Sequence, residues 1–142
     1  MRLYFNRTPY DIFENESSKM QFYDSFFEQY NIDLAESNYI HLYDNEKRGE
    51  YVSKTIFFQG NRIIVYDAEL YEDYIPYRGY NVALYYKNSI KSIKINCDVQ
   101  YNSTYNIKID LENEKIEFSA TEQYHRNDDC KKAVGFLSRY YI

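Results

Sequence analysis

Hydrophobic and polar residues alternate most regularly between residues 92 and 118. Three segments, SIKINCDV, YNIKIDL and KIEF, place an apolar side chain at every second position. The apolar positions are Ile93, Ile95, Cys97, Val99, Tyr105, Ile107, Ile109, Leu111, Ile116 and Phe118. A period of two is typical of strands with one buried face and one solvated face. Because the turn-favouring stretches QYNS and ENE separate the segments, the pattern predicts an antiparallel meander.

Four further strands are predicted between residues 39 and 86. YIHLYD (39–44) precedes the charged turn NEKRGE, and VALYY (82–86) is a short apolar run. Between them, TIFFQGNRIIVYD indicates two strands joined by a tight hairpin with Gly60 at its tip. The chain from residue 39 onwards is therefore expected to form seven strands.

Two helices are predicted, one on each side of the strands. ESSKMQFYDSFFEQY has a cap candidate at Ser17 or Ser18, an aromatic stripe at helical spacing, and Asn31 at its end. At the other end of the chain, NDDCKKAVGFLSRYYI begins with acids that suit the positive end of a helix dipole. Its apolar stripe consists of Cys130, Ala133, Val134, Leu137 and Tyr141. The second helix is thus expected to be amphipathic and to cover the sheet.

Length and charge narrow the class of protein. The 142 residues fit a single domain, 1–142, with a helical extension over about 1–38 and a body over about 39–142. The formal net charge is −5, which does not favour nucleic acid as a partner. There is neither an apolar run of the roughly 18 residues that a transmembrane helix needs nor a secretory signal, so a cytoplasmic location is expected. The residue usage suggests a bacterial or phage source.

The order of seven strands followed by a helix resembles that of bacterial pleckstrin-homology-like (PH-like) domains. The stretch LYYKNSIKSIKI (84–95) is similar to a strand-turn-strand of that family. The resemblance implies an α+β fold with a seven-stranded antiparallel barrel, a C-terminal amphipathic helix that caps it, and here an extra N-terminal helix. Lipid-binding members of the family need several Lys and Arg side chains close together to bind phosphate groups. Here the positive charges of Lys47 and Arg48 are cancelled by the neighbouring Glu46 and Glu50. Membrane lipid is therefore not an expected ligand.

Candidate catalytic and metal-binding groups are few. Cys97 and Cys130 have no metal-ligand spacing and are expected to be reduced, buried thiols. His41 and His125 have no local partner, and the four glycines are too far apart to form a phosphate loop. We therefore expect no metal, no cofactor and no catalysis. A hydrolase or transferase that uses His125 or Cys130 is the alternative.

The most unusual stretch is YEDYIPYRGY (71–80), which is expected to be a long loop between two strands. Its candidate protein-binding residues are Tyr74, Tyr77, Arg78 and Tyr80, since Tyr and Arg are enriched where proteins meet. Tyrosine is frequent throughout the chain, however, with 19 in total. The alternative is that the loop folds back and its tyrosines seal the barrel end or the N-terminal helix.

The sequence thus favours a small, non-catalytic, tyrosine-rich protein-binding module. A protein partner is expected, and self-association stays open. An acidic phage or mobile-element protein that inhibits a nucleic-acid-binding protein is a second hypothesis, since the net charge is negative. A small enzyme is the third.

Overall fold

The computed structural model shows an α+β protein that consists mainly of antiparallel strands. It describes residues 3–6, 24–33, 38–47, 50–71, 76–98, 104–121 and 127–140. The strands are β1 (Leu3–Asn6), β2 (Asn38–Lys47), β3 (Glu50–Gln59), β4 (Arg62–Tyr71), β5 (Pro76–Tyr86), β6 (Ile90–Asp98), β7 (Thr104–Leu111) and β8 (Lys115–Thr121). The C-terminal helix spans Asn127–Tyr140. No helix within these ranges is both long enough and apolar enough to cross a membrane.

The sheet consists of two antiparallel meanders that β1 joins. Its strand order is β5-β4-β3-β2-β1-β8-β7-β6. Strands β2–β5 form one meander and β6–β8 the other, while β1 runs antiparallel to β2 and parallel to β8. Sequence patterning did not predict β1, because four residues are too few to establish an alternation.

The predicted closed barrel is wrong, because the sheet is open. Strands β5 and β6 are its two edges, and no pairing joins them in the residues that the structure describes. The seven strands predicted from residue 39 correspond to β2–β8, and the α+β class and the C-terminal helix are confirmed. Closure depends on which strands pair, and alternation along one strand does not carry that information.

An inner core lies on one face of the sheet, beneath the C-terminal helix. Its buried residues are Ile40, Ile56, Phe58, Ile63, Val65, Ile107, Ile109, Leu111, Ile116, Phe118 and Leu137. Both meanders contribute to it, and Leu137 brings in the helix with no exposed side-chain surface. The rings of Phe136 and Tyr140 contact Phe58, with centroids 5.1 and 4.9 Å away. The predicted alternation of β7 and β8 is confirmed, because their alternate residues are buried in this core: Ile107, Ile109, Leu111, Ile116 and Phe118.

An outer core covers the opposite face of the β2–β5 meander. Its buried residues are Phe26, Phe27, Ile32, Phe57, Ile64, Tyr66 and Ala68. Strands β3 and β4 are thus buried on both faces, which explains why their sequences read as continuous apolar runs rather than alternations. Between them, Gly60 has φ +58° and forms a two-residue turn with Asn61, which confirms the predicted tight hairpin.

The outer core is covered by a helical segment, residues 24–29, whose C-terminus has a Schellman motif. The Ile32 N–H donates to the Phe27 carbonyl, and the Asn31 N–H donates to the Glu28 carbonyl. Asn31 takes the left-handed conformation at φ +55°, so the predicted helix end is confirmed. The predicted start of this helix, including Ser17 and Ser18, lies outside the described residues, and the N-terminal helix as a whole stays a prediction.

The connection between β4 and β5 is much shorter than the predicted loop over 71–80. Strand β4 extends to Tyr71 and β5 starts at Pro76, so only residues 72–75 lie between them. The prediction was wrong about length because Pro76 and Gly79, which usually interrupt strands, lie within an edge strand, where such residues are tolerated.

Candidate functional site

The four residues predicted to bind protein lie on or beside β5, but only Tyr80 has a described side chain. Tyr74 lies outside the described residues. Tyr77 and Arg78 belong to β5, and their side chains are outside the described part. The structure therefore places three of the four residues on the same edge strand, and their binding role stays a prediction.

Tyr80 is half-buried at the rim of the outer core. Its ring lies 5.7 Å from that of Phe26 in an edge-to-face contact and 5.6 Å from that of Tyr66. Burial raises the pKa of the Tyr80 phenol, and the charge and hydrogen bond of Tyr30 raise it further. This tyrosine thus helps to attach β5 to the helical segment, from a strand rather than from the folded-back loop of the alternative interpretation.

Polar contacts from the β3–β4 hairpin fix the helical segment beside β5. The Arg62 guanidinium donates to the carbonyl oxygens of Tyr30 at 3.1 Å and Asn31 at 2.8 Å. The Gln59 amide donates to the same Asn31 carbonyl, and its oxygen accepts from the Asp33 N–H. A cation at the negative end of a helix is favourable, so Arg62 satisfies carbonyls that the helix leaves open.

Further along β5, two large apolar side chains are exposed on the face of the sheet that carries the outer core. Leu84 is 62% exposed and Tyr86 is 70% exposed. They continue the row begun by Tyr80 and Val82, which pack against the outer core. The helical segment covers the first half of this row and leaves the second half open to solvent.

The backbone of β5 also has groups along its outer edge that pair with no described strand. The Lys87 N–H donates to the Asn61 carbonyl at 2.7 Å, next to the pair formed by Arg62 and Tyr86. Because backbone groups of successive residues point to opposite sides of a strand, odd-numbered residues face β4. Val82, Leu84 and Tyr86 therefore direct their N–H and C=O groups away from the sheet, where no described strand pairs with them.

The two edges of the sheet differ in charge. Residues 79–86 of β5 contain no charged side chain, whereas β6 carries Lys91 and Lys94, both exposed. Edge lysines are a common protection against pairing with another chain, since burying their charge is costly. By this criterion β6 is a protected edge, whereas residues 79–86 of β5 are not.

A cleft of about 440 Å³ lies beside β5, between Ala83–Tyr85 and the turn over residues 111–114. Burial raises the pKa of Tyr85, and the hydrogen bond and negative charge of Glu114 raise it further, followed by the charge of Asp67. The cleft keeps the inner side of the β5 edge accessible.

The solvated face of β6–β8 has a network of polar contacts centred on Asp110. Its carboxylate accepts from the Ser92 hydroxyl at 2.9 Å and is 3.5 and 3.9 Å from the ammonium groups of Lys108 and Lys94. The Ser92 hydrogen bond is the main cause that lowers the pKa of Asp110, and the two lysines add to it. These side chains satisfy one another's hydrogen bonds and charges, so we interpret this face as an ordinary solvated surface and not as a binding site.

Few groups of the described chain suit catalysis or metal binding. No set of three or more His, Cys, Asp or Glu side chains in that part could hold a metal ion. Cys97 is exposed, so the expectation that it is buried was wrong. Cys97 lies near the end of edge strand β6, where apolar and polar residues still alternate in the sequence but the core no longer covers the apolar position. The side chains of His41 and Cys130 are outside the described part, as is all of His125, so the enzyme alternative is untested.

No protein-family model, no curated protein and no solved structure matches this chain. The site must therefore be judged from its own geometry. Sequence reasoning missed Leu84 and Tyr86, although a signal was present. VALYY is five uncharged residues without alternation, and when such a run lies on a sheet edge, part of it must remain exposed.

Proposed function

We propose that this chain is a non-catalytic protein-binding module that captures an extended segment of a protein partner along β5. Strand addition to a free edge uses main-chain hydrogen bonds for affinity and alternate side-chain contacts for selectivity. The observation that carries the proposal is the uncharged stretch 79–86 of β5, with Leu84 and Tyr86 exposed beside backbone groups that no described strand pairs.

Two further features support strand addition rather than a contact between flat surfaces. The row of Tyr80, Val82, Leu84 and Tyr86 offers alternate side chains of the added strand an apolar surface. The cleft on the other side of β5 leaves room for the side chains that point the opposite way. The contacts of Arg62 and Gln59 hold the helical segment in place, so the site is largely preformed.

We also infer a PH-like relationship, supported by the order of elements. A four-stranded meander, a three-stranded meander and a terminal helix follow one another as in that family. The open sheet and the parallel contact between β1 and β8 are departures from the family plan. Binding along a strand edge does not depend on closure, so the functional proposal stands apart from this relationship.

The test is a selection of random twelve-residue peptides displayed on phage, carried out on sparsely immobilised protein. Selected peptides, once synthesised, should bind the wild-type chain and shift the amide resonances of Val82, Leu84 and Tyr86. Methylation of alternate peptide nitrogens should weaken binding roughly tenfold or more, because each methyl group removes a main-chain donor.

Matched edge variants provide the control. Leu84→Lys places a charge on the β5 edge and should abolish peptide binding. Asn96→Lys places the same charge on an exposed position of β6 and should leave binding unchanged. Failure to enrich any peptide, or equal binding by the wild-type and Leu84→Lys proteins, would refute the proposal.

A further inference from the structure

The stretch of β5 from Tyr80 to Tyr86 is suited to pair with itself. In an antiparallel pair, a two-fold axis at Ala83 would place Tyr80 opposite Tyr86 of a second copy and Val82 opposite its Leu84. No charged residue lies in this stretch, so two copies meet without like-charge repulsion. Aromatic pairs and pairs of apolar residues directly opposite each other are the contacts that stabilise neighbouring strands.

The direction of the backbone groups fits the same axis. Even-numbered residues direct their N–H and C=O groups outward, as the contact between Lys87 and Asn61 indicates. An axis at residue 83 pairs even-numbered residues only with even-numbered residues. The outward groups of both copies therefore face each other, and every residue of the uncharged stretch has a partner within it.

Self-pairing also covers the exposed apolar surface. Leu84 and Tyr86, the large hydrophobic residues that are most exposed in the described part, would lie beside Val82 and Tyr80 of the other copy. The opposite edge suits such an arrangement less well, because Lys91 and Lys94 would face each other in a self-pairing centred between residues 92 and 93. Of the two edges of the described sheet, β5 is therefore the self-complementary one.

We propose that the occupant of the β5 edge is a second copy of this chain, and that two copies form a symmetric dimer with a continuous sixteen-stranded sheet across β5. This inference rests on the proposed function, since it names the partner of the same edge. The dimer is isologous, so residue 82 of each copy contacts residue 84 of the other.

Sedimentation velocity over roughly 1 to 200 µM protein tests the oligomeric state. The wild-type chain and Asn96→Lys should sediment as dimers at the upper concentrations, and Leu84→Lys should remain a monomer with an unchanged circular-dichroism spectrum. A further variant tests the inference by linking the two copies covalently instead of weakening the interface. Ala83→Cys, with Cys97 and Cys130 replaced by Ser, should form a disulfide-linked dimer on mild oxidation. Residue 83 would meet its counterpart as a non-hydrogen-bonded pair with Cα atoms about 4.5 Å apart, within disulfide range.

The outcomes separate this inference from the proposed function. A monomeric wild-type chain that still binds selected peptides along β5 would overturn the second copy as partner and leave strand capture standing. A monomeric chain that binds no peptide would overturn both proposals. A dimer that survives Leu84→Lys and yields no disulfide-linked Ala83→Cys product would place the interface elsewhere and refute the inference.

Discussion

Truncation of Leu137 to alanine tests how the C-terminal helix is held against the sheet. Leu137 has no exposed surface, and it packs in the inner core with residues from both meanders. Removal of a fully buried leucine side chain costs about 3–4 kcal/mol, which combines the lost transfer free energy with that of the cavity. A domain of this size typically has a free energy of unfolding of about 5–15 kcal/mol. The variant should therefore lose a large share of its stability.

Urea unfolding followed by circular dichroism measures this loss. With a slope of about 2 kcal/mol per molar, the midpoint should fall by roughly 1.5–2 M. Ser138→Ala is the matched control. Its hydroxyl is exposed and donates only to the Gly135 carbonyl, so its effect should stay within about 0.5 kcal/mol. A loss below about 1 kcal/mol for Leu137→Ala would mean that the helix does not close the inner core, and the packing argument would fail.

Two further predictions concern the outer core and the unpaired phenol of Tyr140. Arg62→Met keeps the aliphatic stem but removes the donors to Tyr30 and Asn31. It should lower the free energy of unfolding by about 1–2 kcal/mol, since one of the two hydrogen bonds is exposed. Amide hydrogen exchange at Asn31 and Ile32 should become faster. Unchanged exchange would mean that Arg62 does not hold the helical segment in place. Tyr140→Phe should stabilise the fold by about 1 kcal/mol at neutral pH, because its hydroxyl is buried without a partner; a measurable loss of stability in urea would contradict this. Burial raises the pKa of Tyr140 above the ordinary tyrosine value of 10.0, so ionisation of its phenol disfavours the folded state. This effect is absent below that pH, and stability falls as pH rises from there through the folded-state pKa. The Phe variant should therefore lose less stability than the wild type at alkaline pH.

Local patterns in the sequence predicted the elements of this fold better than their arrangement. The seven strands from residue 39, the hairpin at Gly60 and the helix end at Asn31 each depend on a few neighbouring residues whose chemistry is visible in the sequence. The open sheet and strand β1 depend on contacts between distant segments. Alternation in β2 and β8 is the same whether or not β1 lies between them, so the sequence could not distinguish a barrel from an open sheet.

The candidate site shows the same limit. The Tyr-rich stretch directed attention to β5, yet the side chains that the structure leaves exposed are Leu84 and Tyr86, a few residues further on. Tyr80 was a reasonable choice from composition, but its ring packs with Phe26 and Tyr66. Exposure depends on where the helical segment stops covering β5, and that position follows from the Arg62 and Gln59 contacts rather than from β5 itself.

The difference between the two edges is the strongest physical reason to assign a binding role to β5. An apolar edge without charge is a liability in a monomer, because any extended chain with a free backbone can pair with it. This chain carries protection at β6, where Lys91 and Lys94 are exposed, and lacks it between Gly79 and Tyr86. A charge at Leu84 or Tyr86 would disturb no buried contact, since both side chains lie mostly in solvent. The folding of the chain therefore does not require an apolar β5 edge, whereas pairing with a partner strand does.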